Sequence, residues 1–294
     1  MTSTPETAAL MDSWSLALHD KADSTRRFYR ACLEGFAGAL PEGRGLLDVT
    51  RQDVQRYLAA LKAEGKAQST LRSRWIAFRS FYAWAAAEDE IADNPTLGVK
   101  VERANPPPTR IPDDADLRLL LKACAGKGFA ERRDLALIRT AAATGARISE
   151  LCALHVADVD LRNRLIVIRH GKGDKARVAR VDPETGAALD RYIRTRARQR
   201  LAALPELFLT RFGPLGRKGA DAMLKRRCTE AGIPPTHFHA LRHRFADQWL
   251  ARGGDEGALA QLGGWTDPAV MRRYGAARAT DRALASYDQL GGVL

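Results

Sequence analysis

The sequence predicts a mainly α-helical protein with a small β-sheet: a helical N-terminal domain followed by an α+β C-terminal domain. Three observations carry this. The first hundred residues hold runs whose apolar positions recur at helical spacing. A proline-rich segment follows, ANPPPTRIP at 104–112. Three consecutive prolines fit neither a helix nor a central strand, and they stiffen a connection. Beyond it, two short apolar runs flank GKGDK at 171–175, where glycines on both sides of Lys172 suit a tight hairpin. The expected division is a helical domain over 1–103, a linker over 104–112 and a mixed domain over 113–294.

The elements follow in order. Ser24 and Thr25 precede RRFYRACLEGFAGAL, with apolar residues at 28, 29, 32, 33 and 36. Asp48 and Thr50 can cap RQDVQRYLAALKAEG, which ends at Gly65. Ser69 and Thr70 open LRSRWIAFRSFYAWAAAEDE, with Trp75, Phe78, Phe81 and Tyr82 along one stripe, and Asn94-Pro95 closes it. Arg72, Arg74 and Arg79 lie mostly off that stripe, on a face that either meets DNA or is simply solvated. In the second domain two helical stretches flank Gly145, and strands are expected at RLIVIRH (164–170) and ARVARVD (176–182). More helices complete the chain.

Charge separates the halves. The 294 residues carry a net charge of +12. Through residue 103 basic and acidic residues balance, fourteen of each, so the whole excess lies beyond the linker. Such an excess points to a polyanionic partner, nucleic acid or an anionic membrane surface. The longest small-apolar run, AWAAA at 83–87, is far too short to span a bilayer, which makes the membrane the weaker explanation. The N-terminus has no basic segment leading into an apolar run, so no secretory signal is expected. Four scattered cysteines without a CxxC pair read as reduced packing thiols of a cytoplasmic protein.

Four places look built for an anion. In TGARISEL (144–151), Gly145 ends a helix and Arg147 falls in the turn before the next one. In GKGDK, Lys172 reaches outward from the hairpin tip as a charge and a proton donor, with Lys175 as its rival. In HFHALRHRF (237–245), His239, Arg242 and His243 stand at i, i+3 and i+4 on one helix face. His239 and His243 have the spacing of a zinc pair, but no Glu follows His239, and Arg242 and Arg244 would repel a cation, so no metal is expected. Finally, GGWTDPAVMRRYG (263–275) places Tyr274 behind two arginines, nine residues after Trp265, whose indole N–H is a donor.

Taken in order, an Arg in TGxRxSEL, a Lys in a GKG hairpin, HxLRH and a Tyr nine residues after an aromatic donor closely resemble the tyrosine recombinases, the phage integrase family. The resemblance covers nearly the whole chain and has the simple architecture of Xer-like members. STLRSRWIAFRSFYAWAAAEDEIADNP also looks like that family's first, core-binding domain, a SAM-like helical fold. It implies that Tyr274 attacks a DNA phosphodiester to form a 3′-phosphotyrosyl bond, with His239 as the nearest base. Arg147, Arg242 and Trp265 would donate to the non-bridging oxygens, and Lys172 would protonate the leaving 5′ oxygen. Glu150 reads as a residue orienting an Arg or His, or as a surface carboxylate, and His243 as a supporting residue. Neither a metal nor any other cofactor is required, since arginines and lysine supply the positive charge and the phosphotyrosyl ester keeps the energy of the broken bond.

The implied partners are double-stranded DNA and further copies of the chain, a tetramer on two DNA sites, with accessory proteins left open. The tail AARATDRALASYDQLGGVL, with Leu284, Tyr287 and Leu290 on one side, would dock on a neighbouring protomer or on its own. The first domain starts so near the N-terminus that a separate arm-binding domain is not expected. One position departs from many relatives: Xer proteins carry His where this chain has Trp265. An indole cannot transfer a proton at neutral pH, so integration or excision of a mobile element is the main reading. Xer-type dimer resolution is the alternative. A topoisomerase-like nicking enzyme and a non-catalytic DNA-binding regulator are the remaining rivals.

Overall fold

The computed structural model describes residues 5–103, 110–169 and 176–265, together with 284, 287 and 288. The chain divides into two compact units, Met1–Pro107 and Pro108–Leu294.

The first unit is helical: α1 (Pro5–Ala17), α2 (Asp23–Ala37), α3 (Arg51–Ala63) and α4 (Gln68–Ala87). Helix α3 starts where the sequence signal lies. The Thr50 hydroxyl accepts from the Asp53 backbone N–H, and the Asp53 carboxylate accepts from that of Thr50 at 2.9 Å. Such a reciprocal cap is worth about 1 kcal/mol. Asp48 does not share it; its carboxylate accepts from the Gly45 N–H at 2.8 Å. Ser69 and Thr70 fall inside the first turn of α4 and leave its N-cap to Ala67.

Phe36, Phe78, Phe81 and Tyr82 are fully buried, with the Phe36 and Phe78 rings 4.7 Å apart. Trp75 is half-buried at the edge of that stripe and Phe28 is exposed. Helix α1, which the sequence reading passed over, supplies Met11 and Trp14, and Trp14 meets Phe81 edge-on at 5.4 Å.

The second unit begins with α5 (Asp114–Lys122), capped by Asp113, and continues through α6 (Phe129–Thr144) and α7 (Ile148–Cys152). A three-stranded antiparallel sheet follows, β1 (Val159–Asp160), β2 (Leu165–Ile168) and β3 (Arg177–Arg180), in that spatial order. The β2–β3 register runs from Leu165↔Arg180 to Ile168↔Arg177. The predicted pair is present, shorter than read, and β1 is an addition. Alternation sends Ile166, Ile168 and Ala179 into the core and leaves Val167 and Val178 outside. The hairpin segment 170–175 lies outside the described residues.

Helices α8 (Pro183–Arg196), α9 (Arg217–Glu230), α10 (Phe238–Ala251) and α11 (Glu256–Gly263) complete the unit. Helix α6 packs against both α8 and α10. The core around Leu137, Ile138, Leu151, Leu189, Tyr192, Phe208 and Leu241 therefore lies directly beneath the turns that carry the polar motifs. Of the C-terminal tail, residues 284, 287 and 288 are helical, with Leu284 and Tyr287 exposed.

Candidate active site

Three chain turns meet here. The first is the end of α6. Gly145 has a left-handed conformation, φ 59°, and a Cβ there would collide with the Phe245 ring of α10. Only glycine meets both demands without strain. The chain then extends through Arg147, the N-cap of α7.

Glu150, one turn on, accepts from the Arg147 backbone N–H and from its guanidinium, each at 2.8 Å. Glu150 is buried and not a surface carboxylate. Burial pushes its carboxyl up. Hydrogen bonds from Arg177 and from the Arg147 backbone, with the charges behind them, outweigh that and hold it below the usual range.

The second turn is the start of α10. The His237 ring caps it, Nδ1 accepting from the Ala240 N–H at 3.1 Å. One turn inward, His239, Arg242 and His243 share a face as their spacing requires, and the His239 and His243 rings meet edge-on at 4.5 Å. Arg242 is 2% exposed, and its Nη1 donates to the carbonyl of Gly145, two residues before Arg147, at 2.5 Å. The Arg147 side chain keeps 31% exposure and is the more accessible of the two guanidiniums. His239 faces solvent, yet partial burial, then the positive charge of Arg242 and, beyond it, His237 and Arg147 hold its imidazole below the ordinary value. A neutral imidazole at neutral pH can accept a proton.

The third turn is the end of α11. Gly264 is left-handed, φ 66°, and its carbonyl accepts from Arg147 Nη2 at 3.3 Å. A Cβ on Gly263 would overlap the Trp265 ring, so the glycine pair makes room for the indole to fold back. The Arg242 guanidinium then lies over that ring, 3.8 Å from its centroid. A desolvated cation–π contact of this kind is worth about 2 kcal/mol. The sequence reading assigned Trp265 an N–H donor; it missed that the ring face clamps an arginine.

The fold thus brings together Arg147, Glu150, His239, Arg242, His243 and Trp265 from three separate stretches. Lys172 and Tyr274 lie outside the described residues. The arginines of the first unit are elsewhere. Arg72 donates to the Val101 carbonyl at 2.9 Å, Arg74 to the Tyr57 hydroxyl at 2.6 Å, and Arg79, exposed, sits over Trp75. Sequence reasoning missed Arg177. Its signal was present: Arg177 is in phase with Ala179 and Val181 on the inward face of β3, where an arginine needs a partner.

The second unit brings two arginines, two histidines and an indole together from three stretches of chain, an arrangement suited to an anion. Residues 113–280 match the phage integrase family, and residues 15–89 match the phage integrase N-terminal SAM-like domain. The chain belongs to the phage integrase family and is a tyrosine recombinase, an enzyme that breaks and rejoins DNA at specific sites.

Among its relatives, the tyrosine recombinase XerC of Chromobacterium violaceum is 31% identical over 88% of this chain and 86% of its own. That of Roseiflexus castenholzii is 34% identical over 84% and 81%. In fold the chain is similar to the Tn1549 transposon integrase in complex with transposon right end DNA, with a TM-score of 0.78 and 21% identity over 97% of this chain and 99% of that one. It is also similar to a lambda integrase dimer bound to a core site, with a TM-score of 0.72 and 16% identity over 91% and 94%.

Proposed function

We propose that the reaction runs as follows at this site. Tyr274 attacks a phosphodiester of double-stranded DNA, its phenolic proton passing toward His239, and forms a 3′-phosphotyrosyl bond. Its reference pKa is about 10, so a neutral base beside it matters. Arg147 and Arg242 offer planar forks to the non-bridging oxygens as negative charge gathers there. Trp265 holds the Arg242 plane and its own N–H is a further donor. Preorganised donors of this kind contribute on the order of 3 kcal/mol each. Lys172 protonates the departing 5′ oxygen, and the reverse attack by a 5′-hydroxyl of a second duplex rejoins the strands. Glu150 orients Arg147, and His243 supports the ring of His239.

One observation carries the reading: Arg242 is bonded to the turn of Arg147 and stacked on Trp265, with His239 one helical turn away on its own face. Strand exchange needs two cleaved duplexes, so the working form is a tetramer on two sites. We assign 1–103 to core-type DNA binding, 104–112 to the linker and 113–294 to catalysis, in the cytoplasm where the DNA is. In the first unit the face around Arg72, Arg74 and Arg79 meets the duplex, Arg79 foremost because it stays exposed.

A nicked suicide duplex carrying the site beside the gene tests the assignment. Native protein is expected to give a denaturation-resistant adduct and Tyr274→Phe none; an adduct with the Phe variant would mean another nucleophile. The XerC relatives favour a second role, dimer resolution, whereas the indole at 265 favours a mobile element. Recombination between two chromosomal resolution sites, with none at the element's ends, decides for the former.

A further inference from the structure

Arg177 belongs to no motif used above, yet it is the most heavily bonded side chain at the edge of the site. Its Nη2 and Nη1 reach the two oxygens of Glu150 at 2.6 and 3.2 Å, and its Nε donates to the Leu262 carbonyl at 2.9 Å. The side chain is 8% exposed. Gly264 leaves it room, since a Cβ there would stand 3.0 Å from Nη1. Arg177 therefore ties three elements at once: β3, to which it belongs; α7, through Glu150; and the α11 end that leads into Trp265.

The charges explain why such a tie is needed. Glu150 shares its two oxygens between Arg147 and Arg177. A single carboxylate facing Arg147 alone would neutralise it and repel a phosphate. With Arg177 in place the trio keeps a net charge of +1, and the fork fixes the carboxylate that aims Arg147. We propose that Arg177 is a positioning residue for DNA cleavage: through Glu150 it orients Arg147 and keeps the field at the scissile phosphate positive. This rests on the role assigned to Arg147 above.

The test uses single-turnover cleavage of the nicked suicide duplex at saturating protein, with duplex Kd and melting temperature measured alongside. Arg177→Met is expected to cleave about 100-fold more slowly, the size of effect that a misplacement of about 1 Å produces, with Kd changed less than about twofold. Combining Arg177→Met with Glu150→Gln removes the uncompensated carboxylate and recovers part of the rate. Arg177→Lys keeps the charge without the fork and falls between native protein and Arg177→Met. It also keeps the proposal testable if Arg177→Met fails to fold, because slowed cleavage at unchanged Kd and melting temperature supports positioning.

In an Arg147→Lys background, Arg177→Met should cost far less than it does alone. Native-rate cleavage by Arg177→Met overturns the proposal, as does an undiminished loss in the Arg147→Lys background. If instead Arg147→Lys itself cleaves at the native rate, the assignment of Arg147 is what has failed, and this proposal falls with it.

Discussion

The two units bury different things. The first closes around Trp14, Phe36, Phe78, Phe81 and Tyr82, and among its described residues Asp53 is the one buried charge. The second buries Asp116, Arg133, Asp134, Glu150, Asp158, Arg196, Arg227 and Arg242. Each is answered: Asp134 bonds Arg133 at 2.6 Å and Arg227 at 2.8 Å, and Arg196 donates to a fan of backbone carbonyls. Apolar rings tolerate small shifts, because dispersion has no direction. A buried ion does not, since losing its partner costs about 3–5 kcal/mol. The second unit therefore holds its guanidiniums by directional bonds, while the first unit is held by area and shape.

Four measurements sharpen or break this contrast, in descending size. Phe78→Ala should lower the stability of the first unit by about 3–5 kcal/mol, read by thermal or denaturant melting. Molecules that remain folded should cleave at the native rate; a large change in their rate would erase the distinction. Arg242→Met should do the reverse, slowing cleavage by about 100- to 1000-fold, and DNA affinity measured by anisotropy should move much less. Trp265→Ala removes the face under Arg242 and should slow cleavage about 30-fold, corresponding to about 2 kcal/mol. Trp265→Phe keeps a ring and should lose less; equal losses would give the N–H, not the ring face, the main part.

The smallest effect is in pH. Burial and neighbouring cations favour neutral His239, so its midpoint lies below the ordinary 6.5. The cleavage rate should fall as the pH drops through that midpoint, by about tenfold per pH unit at the limit. Imidazole NMR should show the midpoint rising in Arg242→Met. An imidazole midpoint above 6.5 would contradict the electrostatics of the site.

Much of this was legible in one dimension. Thr50 and Asp53 cap α3 through each other, three residues apart; Gly145 stops α6 because its backbone must turn left-handed; the β2–β3 pair follows from alternation. Other parts were not. Helix α1 opens with the start signal Thr4-Pro5-Glu6, which the sequence reading passed over, but nothing along the chain says that Trp14 finds Phe81 in the core. Arg72 and Arg74 lie off the apolar stripe but bond to Val101 and Tyr57 of their own unit, which spacing along α4 could not reveal.

By itself the sequence determined the family, the order of the motifs and which residue types stand ready for a phosphate, because those depend on neighbours within a turn or two of chain. Tertiary structure alone decided that the Trp265 ring lies under Arg242, that Gly145 receives its guanidinium, and that Arg177 shares Glu150 with Arg147. Those partners are far apart in the chain. A hydrogen bond or a cation–π contact acts over a few ångströms, so only the packing of α6, α7, β3 and the start of α10 on one core, with the rest of α10 holding α11 and Trp265 in a second cluster, could bring them within range.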